Sequence, residues 1–448
     1  MNLANKKISV IGAVRSGVGA AKLIKKLGGK PFVSDSGVFE KLKNSIMELQ
    51  KQNIEFELGK HSAKVYECEM FVVSPGVPSD AEVIKTAKTK GIKIISEIEL
   101  AFSFCAGNII AITGTNGKTT TTSLCGYLFN HCGIKTYSAG NIGKAFSEIA
   151  LDVKENEFVS LEVSSFQLDH IETFKPKVSV ILNITPDHLN RYDYNFENYM
   201  KSKLRVFSNQ TKDDYLIINN DDQYLQKNIS GQLCKTYYFS LTKDITNGCY
   251  LNSGNIYYVE NGVKKFECKT SDIQLRGEHN WANAMAVISA AKLFNLDNQK
   301  IISALKSFKA VEHRLELVKE INGIKFINDS KATNVDSVIY ALKSFNTPIH
   351  LILGGQDKGN DYKLIKELVK KNVKQIYAIG SSSDKIKDFF SGIIDVKMYS
   401  SLREATENAF KNAQKNDVVL LSPACASFDM FENYEERGNQ FKQIVNNL

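Results

Sequence analysis

No stretch of this 448-residue chain approaches the roughly 18 consecutive apolar residues of a membrane-spanning helix, so no membrane insertion is expected. The eight cysteines (Cys68, Cys105, Cys125, Cys132, Cys234, Cys249, Cys268 and Cys425) include no C-x-x-C pair and show no regular spacing. That speaks against a zinc centre or a disulfide framework, and for reduced thiols in a cytoplasmic enzyme. A signal peptide is also missing, because the apolar run that begins at Ile8 is stopped by Arg15 and reads as a first strand. No block of about five or six like charges occurs. The net charge of +8 is spread over single lysines, which disfavours a nucleic-acid groove and suits either an anionic small substrate or a plainly solvated surface. No apolar surface stripe stands out, so a monomer is expected. What remains is an ordinary globular composition, 43% hydrophobic and 24% charged. Its length predicts about three domains at about 150 residues each.

The chain is organised around Asn108 to Thr122. The β-branched run Ile109 to Ile112 reads as a buried strand, Thr113 to Gly117 as a tight loop, and Thr119 to Asn130 as a helix. Such a strand, loop and helix aim backbone N–H groups and the positive helix end at one point, which favours phosphate. Lys118 adds charge there, and Thr119 a hydroxyl for magnesium. The spacing is not the common phosphate loop, because Ile112 stands where its first glycine belongs. Gly114-x-x-Gly117-Lys118-Thr119 is a weak pattern alone and a stronger one behind a buried strand.

Before this centre, residues 7 to 35 read strand, glycine turn over Ala13 to Gly19, helix over Ala20 to Leu27, and strand ending in Asp35. This opens an α/β sheet with an acid where dinucleotide-binding folds hold a ribose. Gly12, Gly17 and Gly19 do not fit G-x-G-x-x-G, which disfavours a nicotinamide cofactor and leaves another nucleotide or sugar nucleotide open. Phe71 to Val77 repeats the design, its strand ending in Ser74-Pro75-Gly76.

After the centre, Phe158 to Glu162 and Lys177 to Ile184 read as strands that deliver Glu162 and His188 to the edge of Lys118 and Thr119 if the sheet is parallel. An acid, a hydroxyl and an imidazole there make a reasonable magnesium shell; taken alone, His188 reads more readily as a helix-start histidine, and this neighbourhood makes the two readings even. Asn198 to Phe207 reads as a helix in which nothing local marks Lys203. Residues 215 to 275 read as a small antiparallel sheet with hairpin turns at Asn247-Gly248 and Asn261-Gly262. Asn280 and Asn283 share a face of the next helix and serve either as caps or as nucleobase readers. From about Val311 four strands, carrying Phe326, His350, Gln375 and Asp417, alternate with helices in a doubly wound domain. Its glycine- or serine-rich strand ends are expected to share one cleft. The boundaries read 1–96, 97–310 and 311–448: an N-terminal Rossmann-like domain, a central phosphate-loop ATPase-like domain with a small antiparallel sheet, and a C-terminal Rossmann-like domain.

These residues resemble the muramyl peptide ligases of cell-wall synthesis over the whole chain. T-G-T-N-G-K-[ST]-T is Thr113 to Thr120, E-x-S-S-F-Q-L is Glu162 to Leu168, N-x-x-x-D-H is Asn183 to His188, and H-N-x-x-N runs from His279 to Asn283. In the third domain, N-D-S-K-A-T-N (Asn328 to Asn334) and S-P-A-C-A-S-x-D-x-F (Ser422 to Phe431) are similar to the D-glutamate-adding branch. The D-N-P-R and D-Y-A-H-x-P stretches of other branches are absent. A folylpolyglutamate synthase shares the phosphate loop but lacks a separate N-terminal unit like Ile8 to Val77.

The resemblance implies an ATP-dependent ligase joining D-glutamate to UDP-N-acetylmuramoyl-L-alanine through an acyl phosphate. It implies ATP at Gly114, Thr115, Asn116, Gly117, Lys118, Thr119 and Thr120, with Asn283, Arg314 and Asp329. Two magnesium sites follow, at Thr119, Glu162, His188 and a carbamylated Lys203. D-glutamate falls to Thr333, Lys358, Ser427 and Phe428. The sugar nucleotide falls to Val14, Arg15, Ser16, Asp35, Ser36 and Gly76, with Asn141 reaching the muramyl end. Lys118 and Lys331 hold the transferring phosphoryl group, and a hinge is expected near Phe308 to His313. Two positions depart from the family pattern: Ala145 replaces a common proline, and Tyr434 replaces a phenylalanine that packs over the amino acid.

Overall fold

Three mainly parallel sheets follow one another along the chain in this computed structural model, which describes residues 1–275, 277–309 and 312–448. Residues Met1–Phe308 form one compact unit and Lys309–Leu448 a second. The expected third-domain start at Val311, and Ala310 within the expected hinge, lie outside the described residues.

In the first sheet the strands run Glu55–Leu58, Lys30–Asp35, Lys7–Ile11, Met70–Val73 and Lys93–Ser96 in spatial order, all parallel. Chain order reverses between Lys7–Ile11 and Met70–Val73, where open α/β sheets take their ligands. The helix after the first strand spans Arg15–Lys26, five residues earlier than the glycines suggested. Gly17 and Gly19 therefore lie inside the helix, where they serve close packing. A Cβ on Gly17 would stand 1.8 Å from the Gly12 carbonyl oxygen, and one on Gly19 2.7 Å from Ser147 Oγ. Gly12, with φ of 96°, makes the turn itself.

The second sheet has nine strands, with Asn108–Thr113 between Phe158–Glu162 and Val178–Ile181. Its far edge corrects one expectation. Asn247-Gly248 is not a hairpin turn, because Gly248–Asn252 pairs parallel to Lys235–Ser240. The two hairpins turn at Ser253-Gly254 and Asn261-Gly262, and both residues of each turn have positive φ, as a tight primed turn requires. The antiparallel strands are thus the edge of one continuous sheet. Glu99, buried in the helix Glu97–Phe102 that follows the first sheet, fastens the two sheets of this unit together. Its carboxylate accepts from the backbone N–H groups of Glu172, Thr173 and Phe174, each at 2.9 Å.

The third sheet places Ile324–Asn328, Val418–Leu421, Ile349–Gly354 and Val373–Ile379 side by side and parallel. Two strands not foreseen extend it, Glu316–Ile321 antiparallel at one edge and Val396–Tyr399 at the other. The central strands are apolar on both faces, as helices covering both sides require. No helix among the described residues is long and apolar enough to cross a membrane.

Candidate active site

The register of the second sheet assembles the site. Ile112 lies opposite Glu162, and Thr113 opposite Ile181. Parallel neighbours in this register release their following loops at one edge, so the 114–117 loop, Glu162 and the 183–188 segment share it. Gly117, with φ of 85°, caps the helix Lys118–His131, and a Cβ there would come within 2.5 Å of Asn283 Oδ1. Only glycine lets Asn283 lie this close to the loop.

Asn183 holds the loop tip: its Oδ1 accepts from Asn116 N–H at 2.8 Å, and its Nδ2 donates to the Asn116 carbonyl at 3.1 Å. Thr115 Oγ1 bonds Thr185 and lies 3.1 Å from the Tyr199 hydroxyl. Lys118 Nζ folds over the loop and donates to the carbonyls of Gly114 at 2.8 Å and Thr115 at 2.7 Å. Thr119 and Thr120 are buried in the first helical turn.

Lys203 reaches the same loop from the helix Phe196–Leu204. Its Nζ donates to the Gly114 carbonyl at 2.9 Å, and its side chain is 2% exposed. Burial drives its pKa well below the ordinary value, and the charge on Lys118 pushes the same way, against Asp187, Glu162 and Asp169. Desolvation of the ammonium outweighs the support that the Gly114 hydrogen bond and these carboxylates give it, so burial shifts the balance toward the neutral amine.

Glu162 is 1% exposed. Its Oε1 accepts from Asn141 Nδ2 at 3.0 Å, and Oε2 is buried with no partner. Asn141 also accepts at its carbonyl from Arg15 at 3.2 Å, linking the first sheet's glycine turn to Glu162. His188 adopts the left-handed region with φ of 53°; its ring lies 3.7 Å from the Asp187 carboxylate and edge-on to Phe166. Among the described residues no three His, Cys, Asp or Glu side chains form a metal centre by themselves. The orphaned Glu162 oxygen fits a cation, provided that Thr119 and a modified Lys203 complete an oxygen-rich shell.

Around the first sheet's switch point, Asp35 accepts from Ala13 N–H at 2.6 Å and from Gly37 N–H at 2.7 Å, so it braces the glycine turn. Val14, Arg15, Ser16, Ser36 and Gly76 stand partly or fully exposed around that turn.

In the second unit, Asn328, Gly354 and Leu421 end neighbouring parallel strands, so the three expected strand ends do share one edge. Asp329 is buried; it accepts from Ser422 Oγ at 2.8 Å and Leu315 N–H at 3.2 Å, and burial raises its pKa to about 7. Arg314 stands between two left-handed residues, His313 at φ 63° and Leu315 at φ 46°, and its Nε is buried without a partner. Strain of this kind collects at functional sites. Lys331 Nζ lies 3.8 Å over the Tyr434 ring, so the departure at Tyr434 sits directly against this lysine. Thr333 and Lys358 are half-buried, Ser427 is buried, and Phe428 is 68% exposed.

Arg437 is a buried residue at this edge that no sequence signal marks. Fully buried, its guanidinium donates to Ser330 Oγ at 2.9 Å and carbonyl at 2.8 Å, and to the Cys425 carbonyl at 3.2 Å; burial lowers its pKa to about 10. It thereby ties the 329–331 loop to the 422–427 loop. In the sequence it is one charge in a charged helix, and nothing there distinguishes it.

The chain matches the family models for the MurD N-terminal domain over residues 7–83, the Mur ligase middle domain over 112–291, and the Mur ligase glutamate ligase domain over 313–425. It is 45% identical to the UDP-N-acetylmuramoylalanine–D-glutamate ligase of Christiangramia forsetii, over 99% of this chain and all of that one. It is 42% identical to the ligase of the same name from Thermoanaerobacter pseudethanolicus, over the full length of both. Among solved structures, the UDP-N-acetylmuramate-alanine ligase MurC of Thermotoga maritima shares the fold with a TM-score of 0.64 at 19% identity, over 99% of this chain and all of that one. MurF ligase of Thermotoga maritima, solved with ADP, follows at 0.60 and 15%, over 93% and 95% of the two chains. With three family models along its length and full-length relatives above 40% identity, this chain belongs to the Mur ligases, in the UDP-N-acetylmuramoylalanine–D-glutamate ligase family.

Proposed function

We propose that this protein is an ATP-dependent ligase that joins D-glutamate to UDP-N-acetylmuramoyl-L-alanine in peptidoglycan precursor synthesis, acting as a cytoplasmic monomer built of domains 1–96, 97–310 and 311–448. The observation that carries the reading is the convergence of Lys118 and Lys203 on the Gly114 carbonyl, at an edge shared with the one unpartnered carboxylate oxygen of Glu162.

ATP phosphorylates the L-alanyl carboxylate, the D-glutamate amine attacks the acyl phosphate, and phosphate leaves from the tetrahedral intermediate. The reaction brings anions together, so the protein's work is positioning and charge stabilisation. The 114–120 backbone cradles the phosphates, and Lys118 exchanges its loop carbonyls for phosphoryl oxygen. Asn283, Arg314 and Asp329 hold the nucleoside and phosphates, with Lys331 on the transferring group. Thr333, Lys358, Ser427 and Phe428 receive D-glutamate, and Tyr434 adds a hydroxyl beside that pocket. Val14, Arg15, Ser16, Asp35, Ser36 and Gly76 hold the uridine nucleotide, and Asn141 the muramyl end.

Thr119, Glu162, His188 and a carbamylated Lys203 are the residues for magnesium, which when bound neutralises phosphate charge. A buried neutral amine is the form of lysine that adds carbon dioxide, releasing a proton and becoming an anion, so the depressed pKa of Lys203 supports its modification.

The test is phosphate release from ATP in the presence of UDP-N-acetylmuramoyl-L-alanine, with and without D-glutamate. Release that depends on both substrates is expected. Release that needs neither, or that proceeds equally with another amino acid, would overturn the reading.

A further inference from the structure

Arg191 has no part in the ligase roles proposed for the other residues. It closes the short turn Leu189–Arg191 that begins immediately after His188. From there its guanidinium crosses to the first sheet. One terminal nitrogen donates to the Val77 carbonyl at 2.9 Å and the Pro75 carbonyl at 3.4 Å, and the other to the Gly76 carbonyl at 3.4 Å. Its stacking partner is Phe166, whose ring centroid is 4.4 Å from the guanidinium carbon; Phe166 in turn meets the His188 imidazole edge-on, with centroids 5.1 Å apart. No carboxylate pairs with Arg191 among the described residues. Three successive carbonyls and an aromatic face hold it instead.

The other side of the same loop is fixed inside the first sheet. Ser74 Oγ donates to the Gly12 carbonyl at 3.2 Å, and Val77 N–H to the Ser74 carbonyl at 3.0 Å. The strand end that carries Gly76 is therefore clamped between the glycine turn of its own sheet and a residue of the catalytic segment. A planar guanidinium fork satisfies several carbonyls at once, whereas an ammonium on a flexible stem has no fixed directions.

We propose that Arg191 is a positioning residue that holds the Ser74–Val77 loop in register with His188 and thereby sets the affinity of the first sheet for the uridine nucleotide substrate. This rests on the assignment of that sheet to the sugar nucleotide.

The experiment is calorimetric titration of UDP-N-acetylmuramoyl-L-alanine into the full chain without ATP, comparing wild type, Arg191→Met and Arg191→Lys. Methionine keeps an apolar stem over Phe166 and removes the fork; lysine keeps the charge and removes the fork. Weakening of about tenfold or more is expected for Arg191→Met, the scale of one lost charge-assisted hydrogen bond. Arg191→Lys should fall between it and wild type, and the KM for ATP should stay within about twofold of wild type in both variants. Affinities equal to wild type in both would overturn the inference, whatever happens to melting temperature or kcat. If Arg191→Met does not fold, the binding affinity of Arg191→Lys decides. A wild type that does not bind the nucleotide sinks the substrate assignment instead, a result distinct from equal binding by all three proteins.

Discussion

Lys203 in the first unit and Asp329 in the second would carry opposite charges in water, and burial moves both toward neutrality. Lys203 loses its proton readily because desolvation and Lys118 both oppose its charge. Asp329 keeps its proton up to about pH 7, although Ser422, Leu315 N–H and Arg314 all favour the carboxylate. The difference lies in what surrounds each. Lys203 bonds a single carbonyl and has the like charge of Lys118 set against the carboxylates of Asp187, Glu162 and Asp169; Asp329 has donors and a cation; desolvation dominates at both. Each unit therefore brings to its site a group whose charged form burial disfavours. In each, the charge that can meet an anion stands on a less buried neighbour, Lys118 in one and Lys331 in the other.

The comparison breaks first at Lys118. Lys118→Ala should lower turnover by about 100- to 1,000-fold, as removal of a group facing developing charge does, while leaving the melting temperature nearly unchanged. Near-normal phosphate release would end the assignment of phosphate binding to this loop. Next comes Lys203→Met, which removes the amine and keeps its volume. Turnover should fall on the same scale, and a carbamate signal in carbon-13 spectra of wild type equilibrated with labelled bicarbonate should vanish in the variant. A wild type without that signal would remove the modification from the mechanism.

The pH dependence of stability sharpens the contrast, because the two slopes have opposite sign. Lys203 has a folded pKa below its unfolded 10.5, so in the window between them the unfolded chain holds the extra proton and stability rises with pH. Asp329 has a folded pKa of about 7 against an ordinary 3.8, so between those values the folded domain holds the extra proton and stability falls as pH rises. Relative to wild type, Lys203→Met should therefore gain most in melting temperature at acid pH, and Asp329→Asn above about pH 7. Gains that do not change with pH would show that neither group titrates on folding. Asp329→Asn should also raise the KM for ATP. The smallest effect expected is in solution scattering: under the proposed function, profiles with and without an ATP analogue and sugar nucleotide should differ. Superimposable profiles would overturn that expectation.

Much of this was legible in the chain because local signals and global fold agree. Ile109 to Ile112 is apolar and β-branched, the strand it makes is buried, and the glycine loop behind it turns into a helix. Legibility failed where a residue's role depends on something far away in sequence. Gly17 and Gly19 look like turn glycines, yet their lack of a Cβ matters because Gly12 and Ser147 press against the helix. Asn247-Gly248 has hairpin chemistry, but the strand that follows pairs parallel to its predecessor. Arg191 and Arg437 satisfy backbone carbonyls, and no periodicity announces which carbonyls a guanidinium will find.

By itself the sequence determined the central buried strands, the glycine loop and the family motifs, because each is written in neighbouring residues as apolar runs and glycine spacing. Only the tertiary structure decided that Lys203 is a buried, readily deprotonated amine on the Gly114 carbonyl, that one oxygen of Glu162 is orphaned, and that Asp329 holds its proton to about pH 7. Those are properties of desolvation and of partners brought from distant segments, and a side chain acquires them only when the fold has removed its water.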